Sequence, residues 1–574
     1  MGSVSPKWHN QQQLKRKNSV GCLLLIVFVL LLPAADATQT QELVLLPPTI
    51  IPRVPVNTTQ ELLWRPTYHT TGAFVGGGAG HLQDPAAPFQ DANGLWHVFP
   101  DCWPSTWNDA VEGGGGGGEL GWCHVSSPDL VHWTSHPPVV WFGQGKTFGG
   151  NCGTGGGGIN AAGEYVVYCP HDISGVNTFV HPNATNLNDG RRFELVDRPP
   201  PGKNCSSSGW SPGCAFVPPP PSVMGKDFPS DPGTPWKSSV DGAWWNVWGN
   251  RGGPGALVYA LRETPAAHNS TEPAGSLRHF EYNSTFFSTP NMPPQRCEAY
   301  ADTSIRNCTA QPEPASVFEC PDTFELGGRQ VLLGSLGCSS LGAAAWWSGH
   351  AGVLWPTAGG APMEAARQGL VDFGNMYAPK SAASFDGKRR VLFGWVMEQW
   401  CDAGCRGLGG LASGCTAEQL PHVSFDGALS LPRELTIDSS DGSLLQAPVA
   451  EVALLRLADG AVHRGALTIV PANAVRVASG RALEINVMID MPAPGSIVGI
   501  DVLSSASEAT TVTIDGSTGK ASIVLARSSA GTVGARLPVR ATLRDLTLEP
   551  GDTVDLRIFV DHSILEVFVN SVRA

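Results

Sequence analysis

The chain has 574 residues, a formal net charge of -13, and only 15% charged residues. Its length exceeds what one hydrophobic core usually holds, so about two domains are expected beyond any leader. The acidic balance argues against nucleic acid or an anionic membrane as partner, and 68 Gly with 47 Pro favour a loop-rich all-β protein over helical bundles.

Residues 1–37 read as a secretory leader. Lys7, Lys15, Arg16 and Lys17 precede an apolar run from Val20 to Leu32, and Ala35-Asp36-Ala37 supplies the small residues a signal peptidase accepts. The run is shorter than the roughly 20 residues of a bilayer span. Cleavage after Ala37 is therefore expected, with no stable membrane insertion unless the leader is retained as a signal anchor. Residues 38–61 read as a linker. Six Asn-X-Ser/Thr sequons, at Asn57, Asn183, Asn204, Asn269, Asn283 and Asn307, suit an extracellular, cell-wall or vacuolar glycoprotein.

Of the 14 Cys, Cys22 leaves with the leader, so an odd number remains and at least one thiol is expected to be unpaired. Cys320 is the one we leave free. Cys205 with Cys214, and Cys297 with Cys308, lie in Pro-, Ser- and Asn-rich insertions that local disulfides would staple. Cys401, Cys405 and Cys415 lack a well-spaced fourth ligand, so a bridge plus a spare thiol is preferred to zinc. No metal and no organic cofactor is expected.

From residue 62 to 440 short aromatic or β-branched runs alternate with Gly, Pro, Asp or Asn. Leu95 to Phe99, Glu164 to Tyr168, Ala243 to Trp248 and Arg390 to Val396 are examples. Many short strands with turn signals mean a sandwich, barrel or propeller, and a ring of blades would leave a central funnel where distant residues meet. Residues 450–574 have a different texture. Leu483, Ile485, Val487 and Ile489 alternate, as do Val554, Leu556, Ile558 and Val560, which reads as a β-sandwich. The chain stops soon after the strand-like run Ile564 to Val569, so the sandwich reads as truncated at its C-terminus.

Several motifs are set aside. Gly145-Lys146-Thr147 lacks the earlier glycine of a phosphate-binding loop, and the glycine runs 113–118 and 155–158 read as flexible loop tips. Asp561-His562-Ser563 holds triad letters in succession, but neighbours on a strand face opposite ways, so it reads as a strand-turn motif.

The chemistry falls on three acids. Glu319, in Phe318-Glu319-Cys320-Pro321-Asp322, is a carboxyl among apolar neighbours, an environment that raises a carboxyl pKa toward the range of a general acid. Asp84, in Gln83-Asp84-Pro85, and Asp231, in Ser230-Asp231-Pro232, each precede a proline next to an aromatic strand. A ring of blades would bring the three together.

In order along the chain these stretches resemble glycoside hydrolase family 32, the invertase and fructan hydrolase family. Gln83-Asp84-Pro85 resembles its Asn-Asp-Pro, Ser230-Asp231-Pro232 its Arg-Asp-Pro, and Phe318 to Asp322 its Trp-Glu-Cys-Pro-Asp. Gly121 to Trp133, Tyr377-Ala378-Pro379-Lys380, Leu431 to Leu435 and Val560 to Ser563 continue the series. The resemblance implies a five-bladed β-propeller followed by a C-terminal β-sandwich. It implies Asp84 as nucleophile, Asp231 as transition-state stabiliser and Glu319 as acid/base in retaining hydrolysis of a β-fructofuranosidic bond in sucrose or a fructan. Retention places nucleophile and acid about 5 to 5.5 Å apart. Gln83, Phe148, Ser230, Phe318 and Cys320 are the expected substrate contacts, Phe318 as a sugar-facing ring and Cys320 as a dipole tuning Glu319.

Departures from the family pattern concentrate near the sugar. Ser230 stands where the family has arginine, removing a fixed cation with up to five donors, and Ala86-Ala87 replaces Asn-Gly. Phe148 to Asn151 follows the family's Phe-Ser-Gly-Ser only loosely. A fructosyltransferase, or a catalytically silent carbohydrate-binding protein on the same fold, are the alternatives. Oligomeric state is not legible.

Overall fold

The computed structural model is built almost wholly from short antiparallel strands. It describes residues 28–31, 38–45, 65–72, 80–103, 121–140, 153–171, 175–187, 193–197 and, with internal intervals left out, 216–289, 317–397 and 425–570.

Residues 80–448 form successive antiparallel units. The first contains Gly80–Gln90, Trp96–Trp103, Gly121–Ser127 and Thr134–Val140, and the second contains Gly157–Ile159, Tyr165–His171, Gly175–His181 and Glu194–Asp197. A ten-stranded sheet carries the next two. Phe228–Pro232, Trp244–Arg251, Ala256–Glu263 and Phe280–Thr289 make one, and Val317–Leu326, Arg329–Gly337, Ala343–His350 and Arg367–Leu370 the other, joined where Asn250 pairs with Phe318. The last unit runs through Met376–Ala383, Arg390–Val396, Arg433–Ile437 and Leu444–Pro448. The ring is closed by Phe425–Asp426, which pairs in parallel with Gly80 and His81 of the first unit. Closure of this kind covers strand edges that would otherwise be open to foreign pairing.

A local device repeats along the inner strands. Ala87, Asp231, Cys320 and Ala378 all have positive φ, between 42° and 53°, and each directly precedes a proline. Their strands slip register at or next to the same place, between Ala86 and Phe89, Ser230 and Pro232, Glu319 and Asp322, and Tyr377 and Lys380. A non-glycine residue in this region costs on the order of 1–3 kcal/mol, and a bulge re-aims the side chains beside it. Asp231 and Glu319 sit on these bulges, and Asp84 on a further register shift of the first strand, between Leu82 and Pro85.

The glycine run 155–158 is not a flexible loop tip. Its carbonyls are tied into the ring, with Ala87 N–H donating to Gly155 O and Tyr168 N–H to Gly156 O. A Cβ on Gly156 would fall 2.0 Å from Gly233 O, and one on Gly155 would fall 1.7 Å from Tyr168 O. The absent side chains let the second unit pack against the loop that follows Asp231. The run 113–118 lies outside the described residues.

The sandwich pairs a six-stranded sheet with a five-stranded one. Leu483, Ile485, Val487, Ile489, Val554, Leu556, Ile558 and Val560 are buried between them, as their alternation predicts, against Val498, Ile500, Val512 and Ile514. Two strands come from the N-terminal part of the chain. Phe28–Leu31, within the apolar run, lies between Val475–Arg476 and Ile497–Val502, and Thr38–Leu45 lies between Ala461–Thr468 and Ala482–Asp490. The observed class is the all-β propeller followed by a sandwich.

The strand pleat also docks the sandwich. Phe559 and Phe568 face away from its core and pack with Phe393, Leu431 and Val449 of the propeller. Asp561 accepts the backbone N–H groups of Thr67, Tyr68 and His69 at 2.6, 2.9 and 2.9 Å, with the His69 ring at 2.8 Å. His562 has φ 55°, so Asp561-His562-Ser563 is the strand-turn expected, and its acid is an anchor between domains.

Candidate active site

Asp84, Asp231 and Glu319 come from three different units and are all buried. Cys320 is the hub that joins two of them. Its thiol lies 3.4 Å from Asp84 Oδ2 and 3.8 Å from Asp231 Oδ2, while its backbone N–H donates to Asp231 Oδ2 at 3.1 Å. The positive φ of Cys320 turns Glu319 and this thiol into the same space. Glu319 Oε2 accepts a 2.7 Å hydrogen bond from the Tyr377 hydroxyl, which comes from the last unit.

Two further residues complete the group. Thr154 Oγ1 donates to Asp84 Oδ2 and lies 3.2 Å from Asp101 Oδ2. Asp101 is fully buried, and its Oδ1 makes no hydrogen bond. Lys380 Nζ, also fully buried, donates to Pro321 O at 2.8 Å and to Pro232 O at 3.5 Å. It therefore ties together the two prolines that follow Cys320 and Asp231, and so fixes the spacing of two acid-bearing bulges.

Burial dominates the electrostatics. It raises the Asp84 pKa above the ordinary carboxylate value, and the charge of Asp231 adds to this, while hydrogen bonds from Thr154 and Cys320 oppose it. Asp101 is raised well above the ordinary value by burial and then by the charge of Asp84, with Thr154 and the nearby Gln83 offsetting part of the rise. The Cys320 thiol is pushed well up by burial and by Asp84 and Asp231, so it stays protonated and serves as a donor. Tyr377 is likewise raised well above its ordinary value by burial and by Glu319.

The expected substrate contacts fare unevenly. Gln83 lies beside Asp101. Ser230 is paired through its backbone opposite Gly249, and Phe148 lies outside the described residues. Phe318 is not a sugar-facing ring. It is fully buried among Phe287, Leu336 and Trp347, because it neighbours Glu319 on a strand and must point the other way. Cys320 is free and buried, as expected, but its thiol serves Asp84 and Asp231 rather than Glu319. The pairs Cys205–Cys214 and Cys297–Cys308, and the group Cys401, Cys405 and Cys415, lie outside the described residues. A disulfide not anticipated, Cys102–Cys123, joins two strands of the first unit.

Sequence reasoning missed Thr154 and Asp101. Thr154 is the one polar residue set into a run of small ones, just past the stretch matched to Phe-Ser-Gly-Ser, and that setting is the signal that could have found it. Asp101 follows Phe99-Pro100 at the end of an aromatic strand, one residue before a bridged cysteine. Among the described residues no group of three or more His, Cys, Asp or Glu side chains is arranged to hold a metal ion.

Two family models match in tandem: the glycosyl hydrolases family 32 N-terminal domain over residues 301–448 and the family 32 C-terminal domain over residues 454–574. The chain belongs to glycosyl hydrolases family 32. The N-terminal family match contains Glu319, Tyr377 and Lys380, and begins after Asp84 and Asp231. Among curated relatives, a fructan 6-exohydrolase of Beta vulgaris is 24% identical over 66% of this chain, and the chain spans 55% of that enzyme's length. A sucrose-6-phosphate hydrolase of Escherichia coli is 23% identical over 86% of this chain and 87% of its own. The solved structure of a sucrose-6-phosphate hydrolase from Lactobacillus gasseri has a TM-score of 0.59, at 18% identity, over 89% of this chain and 87% of its own, a likeness of fold.

Proposed function

We propose that the chain is a retaining glycosidase that cleaves β-fructofuranosidic bonds. The observation that carries this reading is the meeting of Asp84, Asp231 and Glu319 around Cys320, with separate donors on each acid. Asp84 is the nucleophile. Its Oδ2 takes both side-chain donors, Thr154 and Cys320, which leaves Oδ1 as the oxygen to attack the anomeric carbon of a fructosyl unit. Glu319 gives its proton to the leaving oxygen and later takes one from water, with Tyr377 holding its orientation. Asp231, fixed by the Cys320 N–H, lies against the positive charge that develops on the sugar ring. The relatives are named for fructan and for sucrose-6-phosphate, both fructosyl compounds, and sucrose or a fructan is the substrate class proposed here.

The experiment is release of fructose from sucrose, inulin and levan by the purified chain, with Glu319→Gln and Asp84→Asn as controls. Turnover of at least one substrate, lost in both controls, is expected. No release from any of the three would sink the hydrolase reading, and transfer of fructose to sugar at high sucrose would replace it with a fructosyltransferase.

A further inference from the structure

We infer that Asp101 is a neutral carboxylic acid whose proton runs to Thr154, so that the Thr154 hydroxyl is committed to Asp84 and the nucleophile alone carries the negative charge of the pair. The argument begins with hydrogen counting. A threonine hydroxyl has one proton to donate and can accept in return. Thr154 Oγ1 is within hydrogen-bond distance of Oδ2 of both Asp84 and Asp101. If both carboxyls were ionised, one of these contacts would set oxygen against oxygen with no proton between them, in a buried place where water cannot relieve it. A proton on one carboxyl makes the chain continuous: Asp101 donates to Thr154, and Thr154 donates to Asp84.

The choice between the two carboxyls follows from their other partners. Asp84 Oδ2 has a second donor, the Cys320 thiol. Asp101 also has the Gln83 side chain as a hydrogen-bond partner, yet its buried Oδ1 is left without a hydrogen bond. A bare buried oxygen is tolerated on a neutral carbonyl far better than on a carboxylate, and this selects Asp101 as the protonated member. Burial and the charges of Asp84 and Asp231 also raise the Asp101 pKa well above the ordinary value. The other charged or titratable groups around the pair, among the described residues, include Asp231, Glu319, Cys320, Tyr377 and Lys380, and the lysine donates to the carbonyls of Pro321 and Pro232. Asp101 is therefore a positioning residue. It acts through Thr154 to hold Asp84 ionised and correctly rotated.

The inference rests on the fructosidase reading only for its effect on rate, so the first test avoids substrate. Infrared spectra across pH 5 to 8 report the carbonyl band of a protonated carboxyl. The Glu319→Gln chain, which lacks the acid/base carboxyl, should keep such a band at pH 8. Adding Asp101→Asn to it should remove the band. Absence of the band in Glu319→Gln at pH 8, or its persistence in the double variant, overturns the assignment whatever the enzyme's substrate. Where activity is measurable, the acid limb of kcat/KM gives the second test. Asp101→Asn replaces one neutral donor by another and should move that limb by less than about 0.3 pH unit, whereas loss of a neighbouring anion would lower it by about one unit or more. Thr154→Val, which breaks the chain without touching Asp101, should raise the limb by about one unit, and Thr154→Ser should restore it. A Thr154→Val limb at the wild-type position also overturns the inference.

Discussion

The docking of the sandwich on the propeller should be sensitive to pH through His69. This ring is buried between the two domains, 2.8 Å from Asp561 and 3.0 Å from Glu566, and Glu566 in turn lies 2.6 Å from Arg433, which also holds Asp372 at 2.9 Å. Burial alone would lower the His69 pKa, but hydrogen bonds to the two carboxylates outweigh it and raise the value from 6.5 to about 9. A histidine whose folded pKa is raised stabilises fully below its unfolded pKa and loses that contribution as pH rises through the folded one. At about 1.4 kcal/mol per pH unit, the contribution is about 3 kcal/mol at pH 5.5 and falls to about 1 kcal/mol at pH 8. Glu566, lowered to about 2 chiefly by Arg433 and His69 against its burial, has the opposite sense, contributing above its ordinary 4.5 and losing it as pH falls toward 2. Urea unfolding at a series of pH values, on the wild type and His69→Gln, measures the effect. The stability difference between them should narrow by about 2 kcal/mol between pH 5.5 and 8. Parallel profiles would refute the reasoning. The clamp also reaches the active site, because Thr71 bridges Ala428 and the adjoining Gly427 packs against Leu82 O, two residues from Asp84.

Other outcomes follow from single contacts. Tyr377→Phe removes the hydroxyl that orients Glu319 and should lower kcat about tenfold, a loss of about 1.4 kcal/mol, with little change in KM; an equal change in KM would mean that Tyr377 binds sugar instead. Gly156→Ala forces a Cβ toward Gly233 O and should cost about 1–3 kcal/mol of stability while lowering kcat/KM through the Asp231 loop, and a neutral effect on both would remove the close-packing argument. His97, His124 and His136 form a cluster of adjoining rings in the first unit, and burial lowers all three, His136 to about 4. A histidine whose folded pKa is depressed costs stability as pH falls below 6.5, since only the unfolded chain then takes up the proton. Unfolding midpoints of His136→Gln should thus decline less than wild type between pH 6.5 and 4, and an unaltered decline would exclude that histidine as the source.

The acids were legible because their chemistry is written locally. Asp84 and Asp231 stand before prolines, Glu319 stands one residue before such a position, and each lies next to an aromatic run that must be a strand. The sandwich was legible because one buried face imposes a period of two on Leu483 to Ile489 and Val554 to Val560. What the sequence hid depends on register. The resemblance to the family's Trp-Glu-Cys-Pro-Asp implies Phe318 as a sugar contact, yet adjacency to Glu319 on a strand puts the two side chains on opposite faces. Thr154 and Asp101 lie 70 and 17 residues from Asp84, and nothing in their own neighbourhoods says that the second unit reaches the first at that depth. The glycines at 155–158 looked flexible by composition, but their reason is distance. They are small because Gly233 O and Tyr168 O come too close for a Cβ.

The substitution of Ser230 for the family's arginine and the arrangement around Asp84 have a common consequence. The side-chain donors on Asp84 are a threonine hydroxyl and a thiol, both neutral, and the contacts that Cys320 makes to Asp231 are neutral as well. Lys380, the cation closest in sequence to this machinery, donates to carbonyl oxygens of Pro321 and Pro232. Neutral donors offset less negative charge than a guanidinium does, and buried like charges raise one another's pKa. Asp84 and Asp101 are both raised in this way, Asp101 the further. Glu319 must keep a proton to act as an acid, and Asp101 has the connection through Thr154 by which a retained proton benefits the nucleophile.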